Sequence, residues 1–433
     1  MAMPTKAASK KNDPELLAEA KSFVSAFTSS ATKSEEIASF NSDSGISMGA
    51  AGVVEIDSSI ALPLRKFIDR AERLLGHNAS HRRAIHDTAL IAAHTAVAGQ
   101  MPDSKAASAI IDAVWEQALT TFEWIAPNRV FRFLHDVDQI KIGRVRAMLT
   151  TVIISERNAK HPLDKLTIDP TGESGLEFHE DGRVIVQMPH TCWAVDVDAI
   201  NQHVETEGKW LIDVAISYLR LCHDDWKSNF PNVGDKEPHP INRAQHLNEG
   251  VKFQDSKVLA GGGKLPHWYQ IDAEVVRTAS DPKFIKNADL IFSPPSKSLA
   301  ERVAQGLGWL TRGRQAEDRA ERLLYFFTAI EALLTNDDKT APVTQTIARH
   351  AAVMLTDDNN IRHEISGKIK KLYEFRSALV HTGSRSVSGW VADQAQEIAE
   401  SLYQITLERV DVSCSHVAFN QKLAAASYGV PWP

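Results

Sequence analysis

The sequence has few cysteines and no long apolar run, and both absences narrow what the protein can be. Its 433 residues include three cysteines, Cys192, Cys222 and Cys414, which are too few and too scattered for a disulfide framework or a Cys-x-x-Cys metal site. No run of about 18 apolar residues is present, which argues against a membrane span. The polar, lysine-rich start of the chain lacks an apolar signal core. Together these features predict a cytoplasmic protein.

The sequence also lacks an excess of basic charge and a phosphate-binding loop. Its formal net charge is −7, so no general affinity for polyanions follows from charge alone. The glycine run at 261–263 does not have the Gly-x-x-x-x-Gly-Lys-Ser/Thr spacing. We therefore expect neither a cofactor nor a metal. Four histidines near the N-terminal end are predicted to lie on exposed helix faces rather than to bind a metal: His77, His81, His86 and His94.

The length of the chain predicts two or more folded units. Residues 1–55 are rich in Ala, Ser, Lys and Gly, a composition typical of a flexible leader. Residues 56–295 read as a helical and then mixed α/β region, which we expect to act as a sensor or regulatory region. The dipeptide Pro294-Pro295 separates it from a helical bundle at 296–433. The expected fold class is mainly α with a small β-containing middle region.

Hydrophobic spacing predicts the individual elements. Helices are expected over 60–76, 81–98, 105–125 and 198–226, and short strands near 140–142, 166–168, 176–178 and 184–186. In the bundle we expect five helices, over 298–311, 318–335, 342–355, 362–381 and 389–415. The last of these would be one long final helix.

The fourth helix of the predicted bundle carries an arginine on its apolar side. Steps of four, three, four and three residues place five side chains on one stripe: Ile365, Ile369, Leu372, Arg376 and Leu379. A charge on such a stripe is costly unless it is paired. Glu331 lies on the apolar face of the second bundle helix. We therefore predict that Glu331 is the counter-charge of Arg376.

A histidine follows near the end of the same helix. His381 lies five residues after Arg376, about 140° around an ideal helix, so the two share no face while the helix continues. Gly383 is predicted to end the helix in a left-handed turn. Tyr373, Ser377 and His381 share a stripe, which puts a hydroxyl beside the imidazole to orient a phosphate or a water.

Two interpretations of these residues stand at this point. A guanidinium that stabilises negative charge and an imidazole that moves protons are what cleavage of a phosphodiester without a metal requires. Alternatively, Arg376 and Glu331 form an internal ion pair, and His381 interacts with the carbonyls at the helix end. The residues alone leave both readings open.

Two segments of the bundle resemble HEPN domains, particularly the Apea-like branch. They run from Arg322 to Leu334 (RLLYFFTAIEALL) and from Tyr373 to Gly383 (YEFRSALVHTG), and the resemblance covers roughly residues 296–433. It implies a helical bundle that forms a homodimer, in which two Arg-x(4–6)-His motifs face each other. Active members of that superfamily are metal-independent ribonucleases of toxin–antitoxin, CRISPR-linked and phage-defence systems.

The resemblance also implies roles for single residues. Arg376 would bind the scissile phosphate and His381 would transfer protons, with the RNA 2′-hydroxyl as nucleophile. Glu331 matches a recurring acidic position of structural support, and Tyr373 begins the second matching segment and is a further supporting residue. Ser377 departs from the Asn, Asp or His that family members often have directly after the arginine.

The implied function is an endoribonuclease effector in phage defence or a toxin-type stress response, regulated by its N-terminal region. RNA, a second copy of the chain, and an unknown trigger or antitoxin would be its partners, with no membrane involved. The alternative is a noncatalytic HEPN-like module that binds a partner protein or a nucleotide.

Overall fold

The computed structural model shows a mainly α-helical protein with a small set of strands, as the sequence predicts. It describes residues 10–31, 45–118, 120–128, 130–134, 136–160, 166–169, 175–180, 184–223, 252–254, 257–259, 269–316, 318–335 and 342–432. None of the helices in these ranges is both long and apolar enough to cross a membrane. The chain forms two compact units, one of Met1–Trp124 with Asp196–Gly208 and one of Ile125–Val195 with Lys209–Pro433.

The first unit is a helical cluster with a short hairpin. Its elements are α1 (Pro14–Ala31), β1 (Gly45–Gly49), β2 (Gly52–Ile56), α2 (Ser58–Leu75), α3 (Arg82–Ala98) and α4 (Asp103–Ala118). β1 and β2 pair antiparallel. The core joins Phe23 and Phe27 of α1 to Phe67 of α2 and Trp115 of α4, all of them fully buried.

The structure differs from the expected leader within residues 1–55. Pro14–Ala31 is a helix because Leu16, Phe23 and Phe27 recur at helical spacing and bury one face. The start of this helix is tied down by Asp13, whose carboxylate accepts hydrogen bonds from the Leu16 N–H at 2.9 Å and from Arg70 Nη2 at 2.8 Å. Residues 1–9 and 32–44 lie outside the described residues.

Two further expectations for this part of the chain are corrected. The helix predicted over 105–125 ends at Ala118, and Thr121–Pro127 forms a strand in which exposed and less exposed residues alternate at first. His94 is not on an exposed face but is 2% exposed, with its Nε2 2.9 Å from the Ser47 hydroxyl. Burial lowers the pKa of His94.

The middle region contains short strands rather than one large sheet. The strands are β3 (Thr121–Pro127), β4 (Phe131–Phe133), β5 (Gln139–Ile142), β6 (Val145–Leu149), β7 (Leu166–Asp169), β8 (Gly175–Phe178), β9 (Val184–Gln187), β10 (Thr191–Asp198), β11 (Lys252–Gln254), β12 (Lys257–Leu259) and β13 (Tyr269–Ile271), with α5 (Thr150–Lys160) after β6. One four-stranded sheet has the order β3-β10-β6-β5, and a three-stranded sheet has the order β7-β9-β8. β8 and β9 pair antiparallel, with Phe178 opposite Val184.

The remaining elements are helices that lead into the C-terminal bundle. They are α6 (Val204–Cys222), α7 (Ala273–Ala279), α8 (Pro282–Phe292), α9 (Leu299–Gln315), α10 (Arg319–Leu334), α11 (Val343–Leu355), α12 (Asn359–Thr382), α13 (Gly389–Arg409) and α14 (His416–Ala426). The first four predicted bundle helices correspond to α9 to α12, each with ends within a few residues of those expected. α9 packs on α10, α10 on α13, and α11 on α12.

The prediction of one long final helix over 389–415 is wrong. α13 ends at Arg409, and α14 starts at His416 after Ser415, whose hydroxyl accepts the Ala418 N–H at 3.2 Å. The intervening segment is drawn to the start of α9, because its Val412 and Cys414 carbonyls accept hydrogen bonds from backbone N–H groups there. Those bonds replace the helical ones, and the chain turns.

A buried ion cluster ties three helices together in the second unit. Glu400 of α13 accepts hydrogen bonds from Arg220 of α6 at 2.7 Å and from Arg314 of α9 at 2.9 Å. The two arginine side chains are 3% and 1% exposed. Burial alone would raise the pKa of Glu400, but the two guanidinium groups hold it below its ordinary value. The carboxylate is therefore charged at neutral pH.

Candidate functional site

Both motif residues lie on α12, which is the least buried helix of the bundle relative to its length. Its 24 residues include two fully buried side chains, Ile369 and Leu372, whereas the 16 residues of α10 include nine. The carboxylate of Asp358 caps the start of α12 by accepting the Asn360 N–H at 2.8 Å. α12 thus lies along the surface of the bundle, against α11 and α10.

Arg376 forms the ion pair that the sequence predicts. Its Nη2 donates to Oε2 of Glu331 at 2.9 Å, and the two side chains are 21% and 20% exposed. The Arg376 Nε is buried and donates no hydrogen bond to the described residues. The pair therefore fixes one edge of the guanidinium and leaves the Nε donor unused.

Tyr373 supports this pair from one turn earlier. Its ring meets Phe327 of α10 edge-on, with ring centres 5.8 Å apart, and lies 5.5 Å from the guanidinium carbon of Arg376. Burial raises the pKa of the Tyr373 hydroxyl, and the charge on Glu331 raises it further. The Tyr373 hydroxyl is therefore uncharged at physiological pH, and the Tyr373 ring forms one side of the site.

His381 lies in the last turn of α12 and is exposed. Gly383 ends the helix in the predicted left-handed conformation, with φ 67° and its N–H donating to the Leu379 carbonyl at 3.1 Å. Because α12 remains helical through Thr382, His381 lies about 140° around the axis from Arg376. In the described part of the chain, no hydrogen bond or ion pair joins the two side chains.

A single chain therefore assembles only part of the predicted site. It brings Arg376, Glu331 and Tyr373 together, whereas His381 faces away from them. Ser377, which is half-buried, lies one turn before His381 on its side of the helix. Within the ranges that the structure describes, no group of three or more His, Cys, Asp or Glu residues is arranged to hold a metal ion.

Three exposed apolar side chains near the motif were not singled out from the sequence. Phe375 and Val380 of α12 are 41% and 49% exposed, and Trp390 at the start of α13 is 66% exposed. The signal was present in the sequence, because Phe375 and Val380 fall outside the stripe that contains Ile369 and Leu372. Because Phe375 and Val380 are five residues apart, they lie about 140° apart around α12 and give its motif end apolar surface on two different sides.

Comparisons with protein-family models, curated proteins and solved structures found no match to this chain. The geometry of the site is therefore what bears on its function.

Proposed function

We propose that the protein is a metal-independent endoribonuclease whose complete site needs two copies of α12. The observation that carries this proposal is the arrangement at the end of α12. There, Glu331 fixes the Arg376 guanidinium, and His381 is exposed to solvent one and a half turns later. These two groups supply the charge stabilisation and the proton transfer that phosphodiester cleavage requires.

In the proposed reaction, Arg376 binds the scissile phosphate through the donors that Glu331 does not occupy. An imidazole of His381 removes the proton from the RNA 2′-hydroxyl, whose oxygen attacks the adjacent phosphorus. The bond to the 5′-oxygen breaks, and this leaving oxygen takes up a proton from the His381 imidazolium so formed. The products are a 2′,3′-cyclic phosphate and a 5′-hydroxyl, and no metal takes part.

The exposed position of His381 is the reason why the site needs a second copy. An imidazole that faces away from its own arginine can meet the arginine of another chain when two α12 helices approach about a twofold axis. Val380, which precedes His381 in the chain, and Trp390 supply exposed apolar surface for this contact. The proposed assembly is a homodimer in the cytoplasm, with the N-terminal part of the chain controlling it in response to a trigger or an antitoxin.

A second candidate function rests on the same geometry. Within one chain, the side chain of Arg376 lies against Glu331 and Tyr373 and is separated from His381. A noncatalytic bundle that binds a partner protein or a nucleotide would keep this ion pair without using the histidine. The two functions differ in whether His381 is needed for activity.

The test is an RNA cleavage assay. Purified full-length protein is incubated with total RNA and with a structured tRNA, in the presence of a metal chelator. We expect cleavage by the wild type and loss of cleavage in Arg376→Ala, Arg376→Lys and His381→Ala. The lysine variant keeps the charge beside Glu331 but lacks the planar fork of donors, so it separates phosphate binding from folding. His363→Ala is the matched control, because His363 is exposed on the same helix, five turns before His381.

Cyclic-phosphate ends on the fragments identify the reaction, since a metal-dependent nuclease activates water instead and leaves no such ends. Wild-type protein that never cuts RNA under any trigger tested, or a His381→Ala variant with full activity, would overturn the nuclease proposal. The second result would favour the noncatalytic module.

A further inference from the structure

A partly exposed group of aromatic rings lies beside the proposed site. Trp309 of α9 stacks on Tyr325 of α10, with ring centres 5.4 Å apart and ring planes 21° apart. Trp210 of α6 meets Trp309 edge-on, with ring centres 5.5 Å apart. The guanidinium carbon of Arg312 lies 4.8 Å from the centre of the Trp210 ring and 5.5 Å from that of Trp309. These four residues are called the aromatic cluster below.

Two members of the aromatic cluster, Trp210 and Arg312, have a packing role. A Cβ atom on Gly308 would lie 2.5 Å from carbons of the Trp210 ring, so this indole rests directly on the backbone of α9. Arg312 is held in place by Asp213, with 3.2 Å between Nε and Oδ2. Trp210 and Arg312 are therefore held in place and support the stacked rings of Trp309 and Tyr325.

Trp309 and Tyr325 are also only partly buried, so their rings remain partly open to solvent. The near-parallel ring pair of His416 and Phe419 differs, because both of its members are buried, at 5% and 1% exposure. Large flat rings fixed at a surface can stack on a planar ligand at little cost in side-chain entropy.

The position of the aromatic cluster relates it to Arg376. The less buried side of α10 includes Tyr325, Thr328 and Glu331, which are all partly exposed. Tyr325 precedes Glu331 by six residues, which is about 9 Å along the helix axis and about 120° around it. Because Glu331 holds Arg376, a strand of one or two nucleotides would reach from the guanidinium to the rings.

We infer that Trp309 and Tyr325 form a base-stacking subsite for a nucleotide of single-stranded RNA next to the phosphate that Arg376 binds. This inference rests on the proposed function and deepens it. Every base has a π face, so the subsite accepts RNA with little sequence preference. The net charge of −7 gives the chain no general attraction for RNA, and stacking beside the Arg312 cation supplies affinity at this place.

The test measures binding separately from cleavage. A fluorescent single-stranded RNA octamer with a 2′-O-methyl group at every position cannot be cleaved by 2′-hydroxyl attack, and its anisotropy reports affinity for the full chain. We expect Trp309→Ala and Tyr325→Ala each to weaken binding at least about fivefold, while Trp309→Phe retains most of the affinity. Tyr428→Ala is the matched control, because this tyrosine is 80% exposed after the end of α14, and the affinity of this variant should stay within about twofold of the wild type.

A second measurement uses the wild-type chain and needs no variant to fold. RNA that contains 4-thiouridine is cross-linked by near-ultraviolet light, and we expect the cross-linked peptides to contain Trp309 or Tyr325. Cross-links confined to other segments, no binding of RNA by the wild type, or equal affinities of Trp309→Ala and Tyr428→Ala would each overturn the inference. A wild type that binds and cross-links as expected but never cuts RNA would overturn the proposed nuclease alone.

Discussion

The burial of His350 predicts a loss of stability in mild acid. This side chain of α11 is 1% exposed, and neither ring nitrogen has a hydrogen-bond partner in the described residues. Burial, reinforced by the charge of Arg349, lowers its pKa from 6.5 to about 4, although the nearby Asn420 opposes the shift. The folded protein therefore keeps His350 neutral at a pH where the unfolded chain already binds a proton.

Proton linkage gives the direction and the size of the change in the free energy of unfolding. Between pH 6.5 and pH 4 the unfolded state binds more protons, so the free energy of unfolding falls as the pH falls. For a pKa of 6.5 in the unfolded state and about 4 in the folded state, the loss is about 2 kcal/mol at pH 5 and about 3 kcal/mol below pH 4. Above pH 7 the contribution is negligible.

The assay compares the wild type with His350→Leu in urea unfolding followed by circular dichroism, from pH 8 to pH 5. The carboxylates are the same in both proteins. The difference between the free energies of unfolding of the wild type and His350→Leu therefore reports the contribution of His350 to the pH dependence. Between pH 8 and pH 5, we expect the wild type to lose about 2 kcal/mol more free energy of unfolding than His350→Leu loses. His363→Leu, at an exposed position of α12, serves as the control and should show no such shift. A constant difference between the wild type and His350→Leu across this range would refute the reasoning.

Three further changes test the packing and the proposed assembly. Gly306→Ala should lower the free energy of unfolding by at least about 2 kcal/mol in denaturant titration, because its Cβ would overlap the buried ring of Tyr403. Gly383→Ala should cost about 1 kcal/mol by the same measurement, because its φ of 67° is unfavourable for alanine. Mixing Arg376→Ala with His381→Ala protein should restore about a quarter of the wild-type RNA cleavage, because half of the dimers are mixed and each has one intact composite site.

Each of these results has a contrary outcome. Gly367 lies in α12 with open space around its Cβ position, so Gly367→Ala should leave stability unchanged or raised, and an equal loss in Gly306→Ala and Gly367→Ala would contradict the packing argument. Full stability of Gly383→Ala would contradict the role of the left-handed turn. Active wild type without any recovery in the mixed sample would show that the arginine and the histidine do not act across two chains.

The sequence predicted the helical bundle well because its helices are amphipathic and are bounded by capping residues. Ser298, Asp318 and Asp358 each accept backbone N–H groups at a helix start, and such caps can be recognised in a sequence. The pairing of Arg376 with Glu331 was also predictable, since both lie on apolar stripes of neighbouring helices.

Tertiary contacts explain what the sequence did not predict. The break after Arg409 depends on hydrogen bonds to the start of α9, which lies about a hundred residues earlier in the chain. The strand at Thr121–Pro127 continues an apolar pattern that also fits a helix. The stacking of Trp309 on Tyr325 brings two helices together, and periodicity along one segment does not reveal it.

The Glu400 cluster has a consequence for the divergence of this protein. One carboxylate serves Arg220 and Arg314 on two other helices, so losing it would leave two cations in the interior, and losing either arginine would disturb the remaining pair. A replacement at one of these three positions alone should therefore destabilise the protein, and such single replacements should be rare during sequence divergence. Related sequences should keep Arg220, Arg314 and Glu400 together or replace all three by apolar residues, and their joint presence would mark chains with this packing of α6, α9 and α13.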